Sequence, residues 1–238
     1  MIVYLSALLF ALTLLNRWAF IVALLFEGYY LFERGFSLGR LPLVGVHDTL
    51  LFLSFSTGVF ALCLFLYRRK LPWAEPLLKT AALLCAVLSL SATLSAPYSM
   101  PLPPVLQTFW FELHVTLSFL SYGIFGVASL IGVVCLKKGE LRGEYEQYIL
   151  VLTGYLLFSL SMVFGGIWAY YAWGTYWLWT PKELWTSLLW LFYTLYLHLR
   201  FRPGWMGRRT LMLGTAGYGV VLFTYLGVGL LMKSSHSF

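Results

Sequence analysis

Along this chain, long apolar runs alternate with short breaks that hold most of the charge. The runs fall near 1–15, 18–33, 49–67, 78–96, 110–136, 148–168, 184–200 and 210–232. A helix crosses the hydrocarbon core of a bilayer with about 20 mostly apolar residues. Their length and spacing therefore predict an all-α, polytopic membrane bundle of about eight transmembrane helices. The first two runs are short and share only the Asn16-Arg17 break. A single long tilted helix there, giving seven spans, is the alternative.

Composition agrees with this class. Hydrophobic residues make up 61% of the 238 residues, charged residues only 11%, and the mean hydropathy is +0.82. A soluble domain needs more polar surface than this chain can provide. The formal charge of +7 is spread over short loops, which excludes a nucleic-acid footprint and leaves the lipid bilayer as the surrounding phase. Cys63, Cys85 and Cys135 lie within apolar runs without a CxxC pair, so they read as small buried hydrophobes. The N-terminal run lacks a basic start and flows into more apolar sequence, so it is expected to stay as a helix rather than be cleaved.

Basic residues set the expected orientation. If the 137–147 loop is cytoplasmic, alternation places Arg17, Arg68, Arg69, Lys70, Lys79, Lys137, Lys138, Arg142, Arg200, Arg202, Arg208 and Arg209 on that side. Arg34, Arg40, Lys182 and Lys233 stay outside. The outer segments 34–48, 97–109, about 169–183 and 233–238 are then the ones rich in Pro, Gly and Trp. No repeat or soluble domain interrupts 1–238, which reads as one integral membrane domain.

Two constellations stand on that outer side. The stretch 165–190, GGIWAYYAWGTYWLWTPKELWTSLLW, holds Trp168, Trp173, Trp177, Trp179, Trp185 and Trp190, six of the ten tryptophans. Gly174 and Pro181 interrupt it, so it reads as an outer, partly helical loop. A set of indole rings suits a flat aromatic ligand, and the N–H groups suit its polar edges. An interfacial aromatic belt is the plainer reading, but the W-x-W, W-G and P-K-E elements are packed more densely than a belt requires.

Histidine forms the second constellation. His114 in LQTFWFELHV and His236 in KSSHSF are far apart in sequence yet expected at one membrane depth, beside the tryptophans. Singly, each suits a hydrogen-bonded interfacial role. Paired, two neutral imidazoles are suited to hold a haem iron axially. His198 in LFYTLYLHLR lies near the inner end of a span, where an ionisable side chain invites a functional reading and a bond to a neighbouring carbonyl is the structural one. His47, beside Asp48, suits capping or packing better than ligation. Lys182 and Glu183 could pair, or Lys182 could meet a haem propionate. Glu112 cannot share a helical face with His114, and Glu27 needs a partner that the sequence does not identify. No catalytic acid or base stands out.

These stretches resemble the haem-handling superfamily of cytochrome c biogenesis proteins, marked by a tryptophan-rich outer "WWD" segment. WAYYAWGTYWLWTPKELW, followed by YLHLR, is similar to the CcsA branch in particular. LQTFWFELHV and GVGLLMKSSHSF resemble the outer histidine motifs, and GRLPLVGVHDTLLFLSF resembles the loop before the third span. The resemblance implies His114 and His236 as axial ligands of haem b, taken as bound ligand or substrate. It implies His198 as one ligand of a deeper site completed by a CcsB-like partner. It implies a subunit of a cytochrome c synthase, in which the thiols of a C-x-x-C-H apocytochrome c add to the haem vinyl groups. The setting would be a bacterial cytoplasmic membrane, or a thylakoid if plastid-derived. The alternatives are a HemX-like regulator of haem synthesis and a transporter of aromatic solutes. The chain departs from the family pattern at Thr180, where the tryptophan motif has aspartate, and at Arg40, which replaces a histidine.

Overall fold

The computed structural model describes residues 1–231, excluding the side chains of 229 and 230, and the described residues form helices and connecting turns. All eight apolar runs are helical: α1 Ile2–Leu12, α2 Trp18–Leu38, α3 Val46–Arg68, α4 Ala74–Ala92, α5 Phe109–Lys138, α6 Glu144–Trp173, α7 Pro181–Arg200 and α8 Arg208–Leu222. The last continues through a π-helical turn, Phe223–Gly227, into a final turn, Val228–Leu231. Among the described residues, five helices are long and apolar enough to cross a membrane: α3, α4, α5, α6 and the rod from Arg208 to Gly227. α1 and α2 are separate helices rather than one. Asn16 Oδ1 accepts from the Trp18 N–H at 3.1 Å in the turn, and Phe10 meets Phe20 edge-on at 5.5 Å as the chain folds back.

The helices gather into two compact units, Met1–Pro101 and Leu102–Phe238. In the first, α1 packs on α2 and α4, and α3 packs on α2 and α4. Several of its buried polar groups are matched to partners on neighbouring helices, as an interior without water favours. The Glu27 carboxyl, whose partner the sequence left open, takes hydrogen bonds from Ser54 Oγ at 3.1 Å and Ser89 Oγ at 2.6 Å. His47 donates Nδ1–H to the Ala92 carbonyl at 2.8 Å and accepts from Tyr30 Oη at 2.9 Å, which makes it a packing residue. Arg34 meets Asp48 at 2.8 Å and donates to the Tyr98 carbonyl at 2.7 Å. Arg40, in the place of a family histidine, lies over the Tyr98 ring and donates to the Met100 carbonyl at 3.4 Å.

The second unit is an up-down array of α5, α6, α7 and α8, each antiparallel to its sequence neighbour. The central buried amide is Gln147. It donates Nε2–H to the Ala128 carbonyl at 3.0 Å and to the Leu211 carbonyl at 3.3 Å, and accepts from Tyr196 Oη at 3.3 Å. One side chain of α6 thus fixes the register of the other three helices. It fits because Gly132 and Gly214 face it, and a Cβ on either would come within 2.8 Å of the amide. Phe125 stacks on Tyr193 at 3.8 Å in the layer above.

At the end of α7, Arg200 is buried. It donates to Glu144 at 2.9 and 3.3 Å and lies 3.9 Å from the centre of the Tyr148 ring. Removing one partner of such a pair leaves a buried charge unmatched, which costs about 3–5 kcal/mol. Arg200→Met is therefore expected to lower unfolding stability in detergent by that amount. Glu144→Leu added to it should recover most of the loss, and equal stability of wild type and single variant would contradict the assignment.

Candidate functional site

The site builds up at the end of the second unit where α5 begins, α6 ends and α7 begins. Thr108 caps α5 by accepting from the Phe111 N–H at 3.2 Å, just after the proline-rich segment 101–104 and a single 3₁₀ turn, Pro104–Leu106. His114 follows within the second turn of α5, half-buried against α6. Its Nδ1–H donates to the Ser161 carbonyl at 2.8 Å. The Ser118 and Ser161 hydroxyls lie 2.6 Å apart, and each is 2.9 Å from the His114 carbonyl. With Nδ1 protonated, Nε2 is the basic nitrogen of the ring, the arrangement that suits a metal-ligating imidazole.

Close approach of α6 makes this possible. A Cβ at Gly165 would lie 2.6 Å from His114 Nδ1, so only glycine leaves the ring its place. Trp168 stacks nearly parallel to the imidazole, at 6.3 Å and 13°. Its own indole N–H donates to the Val105 carbonyl at 2.8 Å, and Trp173 meets its ring edge-on at 4.8 Å.

The tryptophan segment is more helical than its sequence predicts. α6 continues unbroken through Gly165 and Gly166 to Trp173, so Trp168 and Trp173 are helical residues, and only 174–180 is loop. The helix stops at Gly174, whose φ of +74° is the left-handed conformation that glycine adopts without penalty. The Thr175 hydroxyl then donates to the Trp177 carbonyl at 3.2 Å, and Tyr176 stacks back on Tyr170 at 4.7 Å. α7 restarts at Pro181 with a full capping box: Thr180 Oγ1 accepts from the Glu183 N–H at 3.3 Å, and Glu183 Oε2 accepts from the Thr180 N–H at 2.9 Å. Thr180 thus does the capping work available to the family aspartate. Glu183 is occupied by backbone amides rather than by Lys182, which makes no ion pair among the described residues. Burial lowers the pKa of the Lys182 ammonium, so an anion placed beside it would be favoured.

The other predicted residues lie in different settings. Trp185 packs on Phe223 of the π-helical turn at 4.4 Å, and Tyr225 of the same turn meets Phe119 edge-on at 5.0 Å. These contacts set the π-helical turn against the first turns of α7 and against α5. His236 lies outside the described residues. Trp177 is half-buried and Trp179 is 70% exposed. His198 is exposed near the far end of α7, with Nδ1–H donating to the Thr194 carbonyl at 2.8 Å, so its basic nitrogen is also Nε2. The structural and the functional readings of His198 are compatible, since the carbonyl bond occupies only one nitrogen. Sequence reasoning missed Ser118, Ser161 and Gly165, which hold His114. An i, i+4 pair, His114 and Ser118, was the one local sign of them.

Comparison with known proteins points the same way. Residues 43–236 match the family model described as cytochrome C assembly protein. Cytochrome c biogenesis protein CcsA of Chlamydomonas reinhardtii is 33% identical over 84% of this chain and 61% of its own length. The CcsA proteins of two Prochlorococcus marinus strains, MIT 9312 and subsp. pastoris, are 31% and 32% identical over 97% and 100% of this chain. The chain spans 81% and 82% of those two relatives, but under two thirds of the algal one. With its apolar helices, this makes the chain an integral membrane protein that belongs to the cytochrome C assembly protein family, as a CcsA-type component of cytochrome c biogenesis.

Proposed function

We propose that this protein binds haem and presents it on the extracytoplasmic face for covalent attachment to apocytochrome c. The observation that carries the reading is the fixed ring of His114. A carbonyl on α6 takes Nδ1–H, so Nε2 is the nitrogen suited to iron, and the imidazole lies beside the tryptophan segment. The donor chemistry fits haem: an oriented imidazole, aromatic rings for the porphyrin face, and Lys182, which makes no ion pair among the described residues, for a propionate.

His236 is the second axial ligand in this reading. The packing of Trp185 on Phe223 and of Phe119 on Tyr225 supports it, because it sets the π-helical turn on α7 and on α5, the helix of His114. Trp173, Trp177, Trp179 and Trp185 would line the haem, with Trp168 supporting His114 from behind. His198, an exposed residue with Nδ1 turned to the Thr194 carbonyl, would ligate a second haem together with a residue of a CcsB-like partner. The haem is substrate, taken as haem b. This chain's contribution is to bind and orient it beside the reduced thiols of a C-x-x-C-H segment, which gains rate by placement rather than by acid–base chemistry. In this reading the site faces outward from a bacterial cytoplasmic membrane or a thylakoid, an orientation that the bias of Lys and Arg among the loops supports.

The full-length chain purified in detergent is expected to show the absorbance of low-spin haem held by two imidazoles. His114→Gly should abolish that spectrum, and added imidazole should restore it. An unchanged spectrum in the variant would overturn the assignment. Gly165→Ala should crowd the same ring. The expected result is a stability loss of about 1–3 kcal/mol, with a haem yield below wild type even in the fraction that stays folded. Full haem content in folded Gly165→Ala would show that the placement of His114 does not matter.

A further inference from the structure

Among the described residues, Trp179 is the only non-glycine with a left-handed backbone, at φ +58°. A bulky L side chain rarely adopts this conformation, because its Cβ crowds the following carbonyl. The neighbouring backbone shows what keeps it there. Glu183 Oε2 accepts from the Thr180 N–H at 2.9 Å and from the Leu178 N–H at 2.9 Å, the amides on either side of Trp179. Capping α7 needs only the exchange with Thr180. The bond to Leu178 lies beyond the cap and closes the carboxylate around the Trp179 backbone.

The result of this hold is an exposed ring. Glu183 is 8% exposed and Trp179 is 70% exposed. Trp168 and Trp190 differ, since their indole N–H groups are bound to the Val105 carbonyl and to Ser159 Oγ within the second unit. A strained residue that contributes so little packing gives the fold no return in stability. Such strain persists where the surrounding structure over-determines it, and it is characteristic of functional sites.

We propose that Glu183 is a positioning residue, whose carboxylate holds the Leu178–Thr180 backbone so that Trp179 presents its indole as a stacking face for the porphyrin. This rests on the haem reading above and adds to it which ring is presented and what presents it. The same ring could instead anchor in a lipid interface, as tryptophans commonly do, and the test separates the two.

The experiment uses the full chain with its bound haem, and reads haem absorbance per chain together with amide hydrogen exchange over 175–184. In Glu183→Ala, exchange at Leu178 and Thr180 should rise about tenfold or more, with a several-fold fall in haem. Glu183→Gln keeps one carbonyl oxygen as acceptor and should recover part of both. Trp179→Gly removes the ring and suits the positive φ. It should keep the two amides slow and the thermal midpoint at or above wild type, yet lose as much haem as Glu183→Ala. Unchanged exchange in Glu183→Ala would overturn the hold. Full haem in both Glu183→Ala, despite its raised exchange, and Trp179→Gly would overturn the presentation and favour the lipid anchor. A wild-type chain without haem would defeat the haem reading itself, and the exchange comparison would still decide whether Glu183 holds the loop.

Discussion

Inside a bilayer no water is available to complete a polar side chain, so a histidine on a membrane helix depends on what its neighbours supply. His114 receives the Ser161 carbonyl one helix away, at 2.8 Å, and that single bond settles several things together. It fixes the tautomer, turns Nε2 into the basic nitrogen, and ties the start of α5 to α6 at a separation only Gly165 permits. Trp168 can then stack on the imidazole while its N–H reaches back to Val105, so the proline-rich lead-in to α5 is anchored as well. If α5 and α6 moved apart, the ring orientation, the tryptophan stack and the lead-in would all lose their support.

The same economy governs both units. In the first, Glu27 is satisfied by two serine hydroxyls and His47 by a tyrosine and a carbonyl, so each polar group is consumed by the fold. In the second, Gln147 and the Arg200–Glu144 pair are consumed in the same way. His114 and His198 stand apart from these. Each commits Nδ1 to a carbonyl, which orients the ring and assigns the lone pair to Nε2. His47, by contrast, has both nitrogens bonded within the fold and is equipped to pack.

Much of this was readable in the chain. Apolar runs of spanning length located all eight helices, because in lipid the backbone itself demands helix over those lengths. Pro181 as an interruption of the tryptophan segment was legible too, and α7 restarts there. What escaped sequence reasoning depends on tertiary approach. The partners of Glu27 lie 27 and 62 residues away. Gly165 carried no sign in the sequence that it serves as clearance for the His114 ring, because that need arises only where α6 meets α5. Glu183 and Lys182 suggested an ion pair, yet backbone amides claimed the carboxylate, because a helix start offers it donors at shorter reach. The Asn16-Arg17 break could not distinguish a tilted rod from a reversal, which the contact of Phe10 with Phe20 decides.

The central claim is that iron binds to His114 through Nε2. Pulsed electron paramagnetic resonance of the ferric, haem-bound full-length chain, grown with ¹⁵N-histidine, measures this directly. Two imidazole ¹⁵N couplings in the wild type, reduced to one when position 114 is changed, are the result expected here. Couplings that are absent from the wild type, or indifferent to the residue at 114, would contradict the account.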